Sequence, residues 1–158
     1  MLNIRNAEHK DASAIKSVHV NAIKNCCTDY YSAEQINIWT GGDASGFVRL
    51  IDKSPFMLVA EINDEIVGFC TLRQDFTLMH LYVCPVSQKQ GVGGALLNAA
   101  IHWLKEKGQK NLELESSLNA VAFYKSNGLK AVKESYVTMK DQKIAIVKMI
   151  MELNSEGN

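Results

Sequence analysis

Val92, Ala95, Leu96, Ala99, Ala100, Trp103 and Leu104 fall at steps of three and four, the spacing that lines one face of a helix. Gly108 follows where a helix commonly ends in a left-handed residue. Nearer the N-terminus Ala14, Ile15, Val18, Ala22 and Ile23 repeat the spacing behind Asp11 as a cap, and the stripe fades over 25–29. Ser32-Ala33-Glu34-Gln35 has the form of a capping box, with Tyr31 and Ile36 at staple positions, so a second helix opens there. Gly41-Gly42 stops it soon after Trp39. A weaker helical piece spans 43–53 before Ser54-Pro55, and 119–127 reads as a short helix ended by Gly128.

Strand patterns fill the intervals. Residues 2–6 alternate, and 56–62 joins 65–74 through Asn63-Asp64, a hairpin signal. A third strand over 76–84 follows Asp75 and extends the meander. The strand at 111–115 comes after the long helix, and a right-handed crossover sets it parallel to its neighbour. Strands over 129–138 and 143–153 turn around Lys140-Asp141-Gln142. Periodicity alone thus predicts an α/β or α+β chain with a mixed sheet, in a single domain over 1–153 with a flexible tail at 154–158.

Composition narrows the function classes. At 158 residues, 47% apolar and 22% charged, the chain can bury a core without staples. Seventeen basic residues balance seventeen acidic ones, which disfavours nucleic acid or an anionic membrane as partner. The best basic cluster, Lys105, Lys107 and Lys110, complements a helix C-terminus. Cys26, Cys27, Cys70 and Cys84 show no metal-ligand spacing, so no metal is expected, and Cys70 and Cys84 read as buried thiols in apolar strands. With neither a signal peptide nor an apolar run of about 20 residues, a reducing cytoplasm is the expected location.

One segment carries chemistry. Strand-like Leu78-Met79-His80-Leu81-Tyr82-Val83 leads through Cys84-Pro85 into Gln88-Lys89-Gln90-Gly91-Val92-Gly93-Gly94, which opens a helix at Ala95. Such a turn aims free N–H groups and the positive end of a helix dipole at one point, where a phosphate belongs. A dinucleotide fingerprint would need Gly at position 96, which is Leu, and no P-loop run occurs. The pattern Q-x-x-G-x-G resembles the pyrophosphate signature of the GCN5-related N-acetyltransferases, the GNAT family. Asn119-Ala120-Val121-Ala122-Phe123-Tyr124-Lys125-Ser126-Asn127-Gly128-Leu129 is similar to that family's N-x-x-A-x-x-F/Y-Y-x-x-x-G-F segment. It has one residue fewer before the aromatic pair, and Leu129 stands for the closing Phe. Two motifs in the right order are far more specific than either alone.

The resemblance implies a mostly antiparallel sheet of six or seven strands with helices on both faces, and acetyl-CoA as the bound coenzyme. It assigns the pyrophosphate to backbone N–H groups across Gln88, Lys89, Gln90, Gly91, Val92, Gly93, Gly94 and Ala95. Leu81, Tyr82 and Val83 correspond to a bulged strand that holds the pantetheine arm, with an N–H near Tyr82 or Val83 polarising the thioester carbonyl. Asn119 joins the coenzyme set, and Tyr124 becomes the acid for the departing thiolate, its phenol being protonated at neutral pH.

An amine acceptor must lose a proton, and His80, Glu113 and Glu115 are the candidate bases on the strands that flank the acetyl gap in this family. Asp29, Tyr30, Tyr31 and Trp39, within a Tyr-Ser-x-x-Gln-x-x-x-Trp segment similar to one in a bacterial subgroup, are candidate contacts for a cationic acceptor. The acceptor is a small-molecule or peptide amine, and exposed final strands in the family make a homodimer an expectation. A coenzyme-binding sensor without turnover is the rival reading.

Overall fold

The computed structural model describes residues 1–154; of the tail expected at 154–158, all but Asn154 lies outside the described residues. The chain runs β1 (Leu2–Asn6), α1 (Ala12–Cys26), α2 (Ala33–Trp39), α3 (Ser45–Lys53), β2 (Phe56–Ile62), β3 (Glu65–Leu72), β4 (Leu78–Val83), α4 (Val92–Glu106), β5 (Asn111–Ser117), α5 (Val121–Ser126), β6 (Lys130–Met139) and β7 (Gln142–Glu152). The strands form one seven-stranded sheet in the order β1-β2-β3-β4-β5-β7-β6. Only the β4–β5 pair is parallel, as the crossover through α4 requires.

Local chemistry accounts for most of the element ends. Asn63 and Asp64 both take left-handed backbone, at φ 53° and 64°, in the turn that joins β2 to β3. Ser32 Oγ accepts from the Gln35 N–H at 3.1 Å while Gln35 Oε1 accepts from the Ser32 N–H at 2.8 Å, completing the capping box of α2. Gly108 and Gly128 end their helices at φ 75° and 95°. Asp11 differs from expectation: its side chain makes no cap bond into α1. Its carboxylate instead accepts from the Glu8 N–H at 2.8 Å and from Arg5 at 2.8 and 2.9 Å, fixing a short 3-10 turn before the helix.

Helices cover both faces of the sheet. On one, Leu96, Leu97, Ala100 and Leu104 of α4 and Tyr124 of α5 pack on Leu72, Leu78, Leu112, Leu114 and Met149. On the other, Ile15 and Val18 of α1 and Phe47 of α3 pack on Val59 and Phe69, while Ile23, Cys27, Tyr31 and Ile36 pack on Ile144. Each fully buried leucine on the α4 stripe is worth roughly 1.5–3 kcal/mol of transfer free energy. That burial fixes where α4, and therefore its N-terminus, sits.

Two irregularities in β4 create the site. Leu78 pairs with Leu72 but His80 pairs with Thr71, so Met79 is an extra residue bulged from the ladder. The bulge resets the alternation, and Leu78 stays in the α4 core while His80 and Tyr82 face α1 and α3. The bulge of β4 thus lies at Met79, ahead of Leu81–Val83. On its other edge β4 meets β5 at one register pair, Leu78 opposite Leu114. Beyond it no ladder joins them, and the edge of β4 through Leu81, Tyr82 and Val83 borders a gap.

Candidate active site

A cleft of about 720 Å³ occupies that gap. Its walls are the end of α1 (Ala22, Cys26, Cys27) with Tyr30, the end of β4 (Leu81, Tyr82, Val83), the glycine turn, and the segment from Ser117 through Tyr124 to Asn127.

The glycine turn is built for free donors. Lys89 and Gly91 take left-handed backbone at φ 66° and 83°, and Gly91 is the residue just before α4. A side chain at Gly91 would have open space but a strained backbone, so conformation explains this glycine. Gly93 is small for a different reason: an added Cβ would lie 3.2 Å from the Phe123 ring. The helix starts at Val92, three residues earlier than expected at Ala95. Consequently the Ala95 N–H is spent on Gly91 O at 3.0 Å and cannot join the cradle. The N–H groups of Val92, Gly93 and Gly94 precede that first bond, have no acceptor inside the helix, and sit at its positive end.

Of the other expected coenzyme residues, Leu81, Tyr82, Val83, Gln88, Lys89, Gly91, Gly93, Gly94, Asn119 and Tyr124 line the cleft. Gln90, Val92 and Ala95 contribute no lining side chain. The Gln88 amide donates to Val83 O and to Cys26 Sγ, each at 3.2 Å, so its side chain ties the turn to β4 and α1. Asn119 Oδ1 accepts from the Cys27 thiol at 3.2 Å. Phe123 and Tyr124 are in edge contact at 5.2 Å, with Phe123 on the glycine turn and Tyr124 turned into the core end of the cleft.

Tyr124 is buried, and desolvation raises its pKa well above the usual phenol value, with smaller contributions from Cys70 and Tyr82. It remains a proton donor throughout the physiological range. Burial likewise raises the Cys27 thiol to about 12, which leaves it un-ionised and a poor nucleophile. All four cysteines are free thiols; Cys70 is buried as expected, but Cys84 lies just past the end of β4 and is only half-buried.

The candidate bases sit on the opposite face from Tyr124's helix. Leu112 and Leu114 point into the α4 core, so Glu113, Glu115 and Ser117 project to the side of α1. Ser117 lines the cleft; Glu115 is the next residue on that face and Glu113 the one beyond. The Glu115 carboxylate lies 4.0 Å from the Arg73 guanidinium, and Glu113 is exposed. His80 belongs to a ring cluster with His19, Phe47, Phe69 and Tyr82, and burial lowers its pKa to about 4.

The acceptor candidates separate. Tyr30 is exposed and lines the cleft. Tyr31 is buried, its hydroxyl donating to Ala145 O at 2.6 Å and accepting from the Leu118 N–H at 2.9 Å. It brackets β7 to the end of β5 and, unlike Tyr30, is not part of the cleft lining. Trp39 packs edge-on against Tyr31 at 5.2 Å, and neither Trp39 nor exposed Asp29 is part of the lining. Missing from the sequence reading were Cys26, Cys27, Ser117 and Phe123. Cys26 follows Ala22 by four residues on the α1 stripe, so extending that helix one turn would have found it. Among the described residues no cluster of three metal-ligating side chains occurs, and no helix is long and apolar enough to cross a membrane.

A family model for the acetyltransferase (GNAT) domain matches residues 27–153. The chain is 29% identical over 136 residues to the uncharacterised N-acetyltransferase YafP of Escherichia coli, covering 86% of each protein. It is 31% identical over 139 residues to the uncharacterised N-acetyltransferase YhfO of Bacillus subtilis, covering 80% of this chain and 89% of that one. A GCN5-related N-acetyltransferase from Rhodopseudomonas palustris superposes with a TM-score of 0.91 at 25% identity, over 96% of this chain and 95% of the other. The PaiA N-acetyltransferase of Thermoplasma acidophilum, solved in complex with coenzyme A, shares the fold with a TM-score of 0.81 at 22% identity, over 96% and 99%.

Proposed function

Since the chain belongs to the GNAT acetyltransferase domain family, we propose that it transfers the acetyl group of acetyl-CoA to a primary amine by direct attack on the thioester. The observation that carries this reading is one continuous cleft. It runs from the unpartnered N–H groups at the start of α4, along the open edge of β4, to the buried Tyr124 hydroxyl. The residues fit the coenzyme at each point. Val92, Gly93 and Gly94 offer donors and a helix dipole for the pyrophosphate. Gly93 carries no Cβ between Phe123 and that anion site, and the β4 edge offers backbone partners for an amide-containing arm.

When bound, acetyl-CoA supplies an activated acyl carbon and a thiolate leaving group. The protein's part is to position and to manage protons. The backbone N–H of Val83, on the edge of β4 turned away from β3, faces the developing negative charge on the carbonyl oxygen. Tyr124 then gives its proton to the leaving sulfur. Burial disfavours a phenolate and a thiolate alike, so the raised pKa of Tyr124 does not prevent transfer between two groups that share one dry site. From the opposite face the amine enters past Tyr30, and Glu115, reached directly or through water, takes its proton.

Free-thiol release from acetyl-CoA, assayed across a panel of alkylamines, polyamines, amino acids and short peptides, tests the reading. Amine-dependent release with stoichiometric N-acetyl product is expected. Tight coenzyme binding without release for any amine would favour the sensor alternative.

A further inference from the structure

His80 and Thr71 sit directly opposite each other across the β3–β4 ladder, just past the Met79 bulge. The Thr71 hydroxyl lies 2.8 Å from His80 Nδ1 and has no exposed surface. A buried hydroxyl leaves its proton unpaired only at a cost of about 1–3 kcal/mol. The single side-chain contact of Thr71 Oγ1 among the described residues is that ring nitrogen. Thr71 therefore donates and Nδ1 accepts. A neutral imidazole that accepts at Nδ1 carries its proton on Nε2. The ring's surroundings hold it neutral: Phe47, Phe69 and Tyr82 lie 5.6–6.0 Å away centre to centre, and His19, itself buried, at 5.7 Å.

The second nitrogen is open. Among the described residues the one enclosed side-chain nitrogen or oxygen without a partner is His19 Nδ1. Among the described residues His80 Nε2 has no hydrogen-bond partner either, and the ring is half-buried on the face of β4 that Tyr82 shares, beside the cleft but outside its lining. That is the side from which the proposed function brings the amine, and the next step rests on that reading.

We propose that Thr71 is a positioning residue that locks His80 as its Nε2–H tautomer, making His80 a hydrogen-bond donor to an oxygen beside the reactive amine of the acceptor. An amine flanked by a carbonyl, carboxylate or hydroxyl is then preferred over a plain alkylamine or polyamine of equal length. His80 selects; Glu115 deprotonates.

Long-range ¹H–¹⁵N correlation spectra of the free protein at neutral pH read the tautomer without any substrate. The account expects a protonated-type Nε2 and an unprotonated Nδ1 for His80, with that pattern lost in Thr71→Val. A protonated Nδ1 or an imidazolium in the wild-type chain overturns the lock. The selecting role is read from paired acceptors that differ only in the neighbouring oxygen. His80→Gln keeps a donor near the Nε2 position and is expected to stay within about threefold of wild type for both. His80→Leu is expected to lose about tenfold in kcat/KM, mostly through KM, for the oxygen-bearing acceptor alone. Equal kcat losses in both variants across every amine would make His80 the base and overturn the donor role. If the wild-type chain turns over no amine, the selecting role falls with the acetyltransferase reading, while the tautomer assignment still stands or falls on the spectra.

Discussion

Arg5 holds two carboxylates at once, Asp11 at 2.8 Å and Glu61 at 2.9 Å, and so ties the start of α1 to β1 and β2. Hydrogen bonding to Arg5 keeps the Asp11 pKa below the usual carboxylate value. A group depressed in the folded state adds stability above its unfolded pKa of about 3.9 and loses it as pH falls toward the folded value. Asp11→Asn is therefore expected to cost roughly 1–3 kcal/mol at neutral pH and to flatten the acid limb of stability below about pH 4. Urea titrations at several pH values check both. At the cleft, Tyr124→Phe keeps the ring that fills the core but removes the hydroxyl proposed as the acid for the leaving sulfur. The expected outcome is normal coenzyme affinity with turnover lower by about 10²–10⁴-fold; unchanged turnover would remove Tyr124 as the acid. Single residues were the least legible level of the sequence. Tyr30 and Tyr31 are neighbours with identical chemistry, yet one lines the cleft and the other is a buried bracket. That difference depends on β7, 114 positions away at Ala145, and no local pattern carries it.

Elements were legible where one face must be buried and a turn residue marks the end. The α4 stripe, the α2 capping box, the Asn63-Asp64 turn and the glycines at 108 and 128 all agree with the structure for that reason. The start of α4 was misread because Gly93 and Gly94 look like turn residues, whereas both lie in the first helical turn. What holds that turn down is Gly68 of β3, unnoticed in the sequence. A Cβ there would come within 3.1 Å of Val92 Cγ1 and of Tyr82 O. Gly68→Ala should push the first turn of α4 off the sheet, where the anion donors begin. We expect coenzyme affinity to fall by about tenfold or more, with a loss of about 1–3 kcal/mol in stability for the overpacked contact. Calorimetric titration beside a thermal melt would measure the pair; an unchanged affinity would mean that the donors are positioned by something other than this contact.

At the scale of the molecule, the gap in the sheet is what joins the parts. The β4–β5 pair holds at Leu78 and Leu114 and then ends, so the cleft opens to Tyr124 on one face and to Tyr82 and Ser117 on the other. The antiparallel meander and the parallel pair followed from the short connections and the handedness of the crossover. The gap between β4 and β5, the Met79 bulge and the place of β7 between β5 and β6 did not, because none of them leaves a period in the sequence.

Thermal unfolding of the whole chain with and without acetyl-CoA tests the central claim most directly, because a ligand that fills this cleft binds the folded state alone. At a hundredfold excess over its dissociation constant, acetyl-CoA should add about 2.7 kcal/mol, a rise in Tm of roughly 5–10 °C for a chain of this size. No rise at millimolar acetyl-CoA or coenzyme A, under conditions where the protein melts cooperatively, would contradict the account.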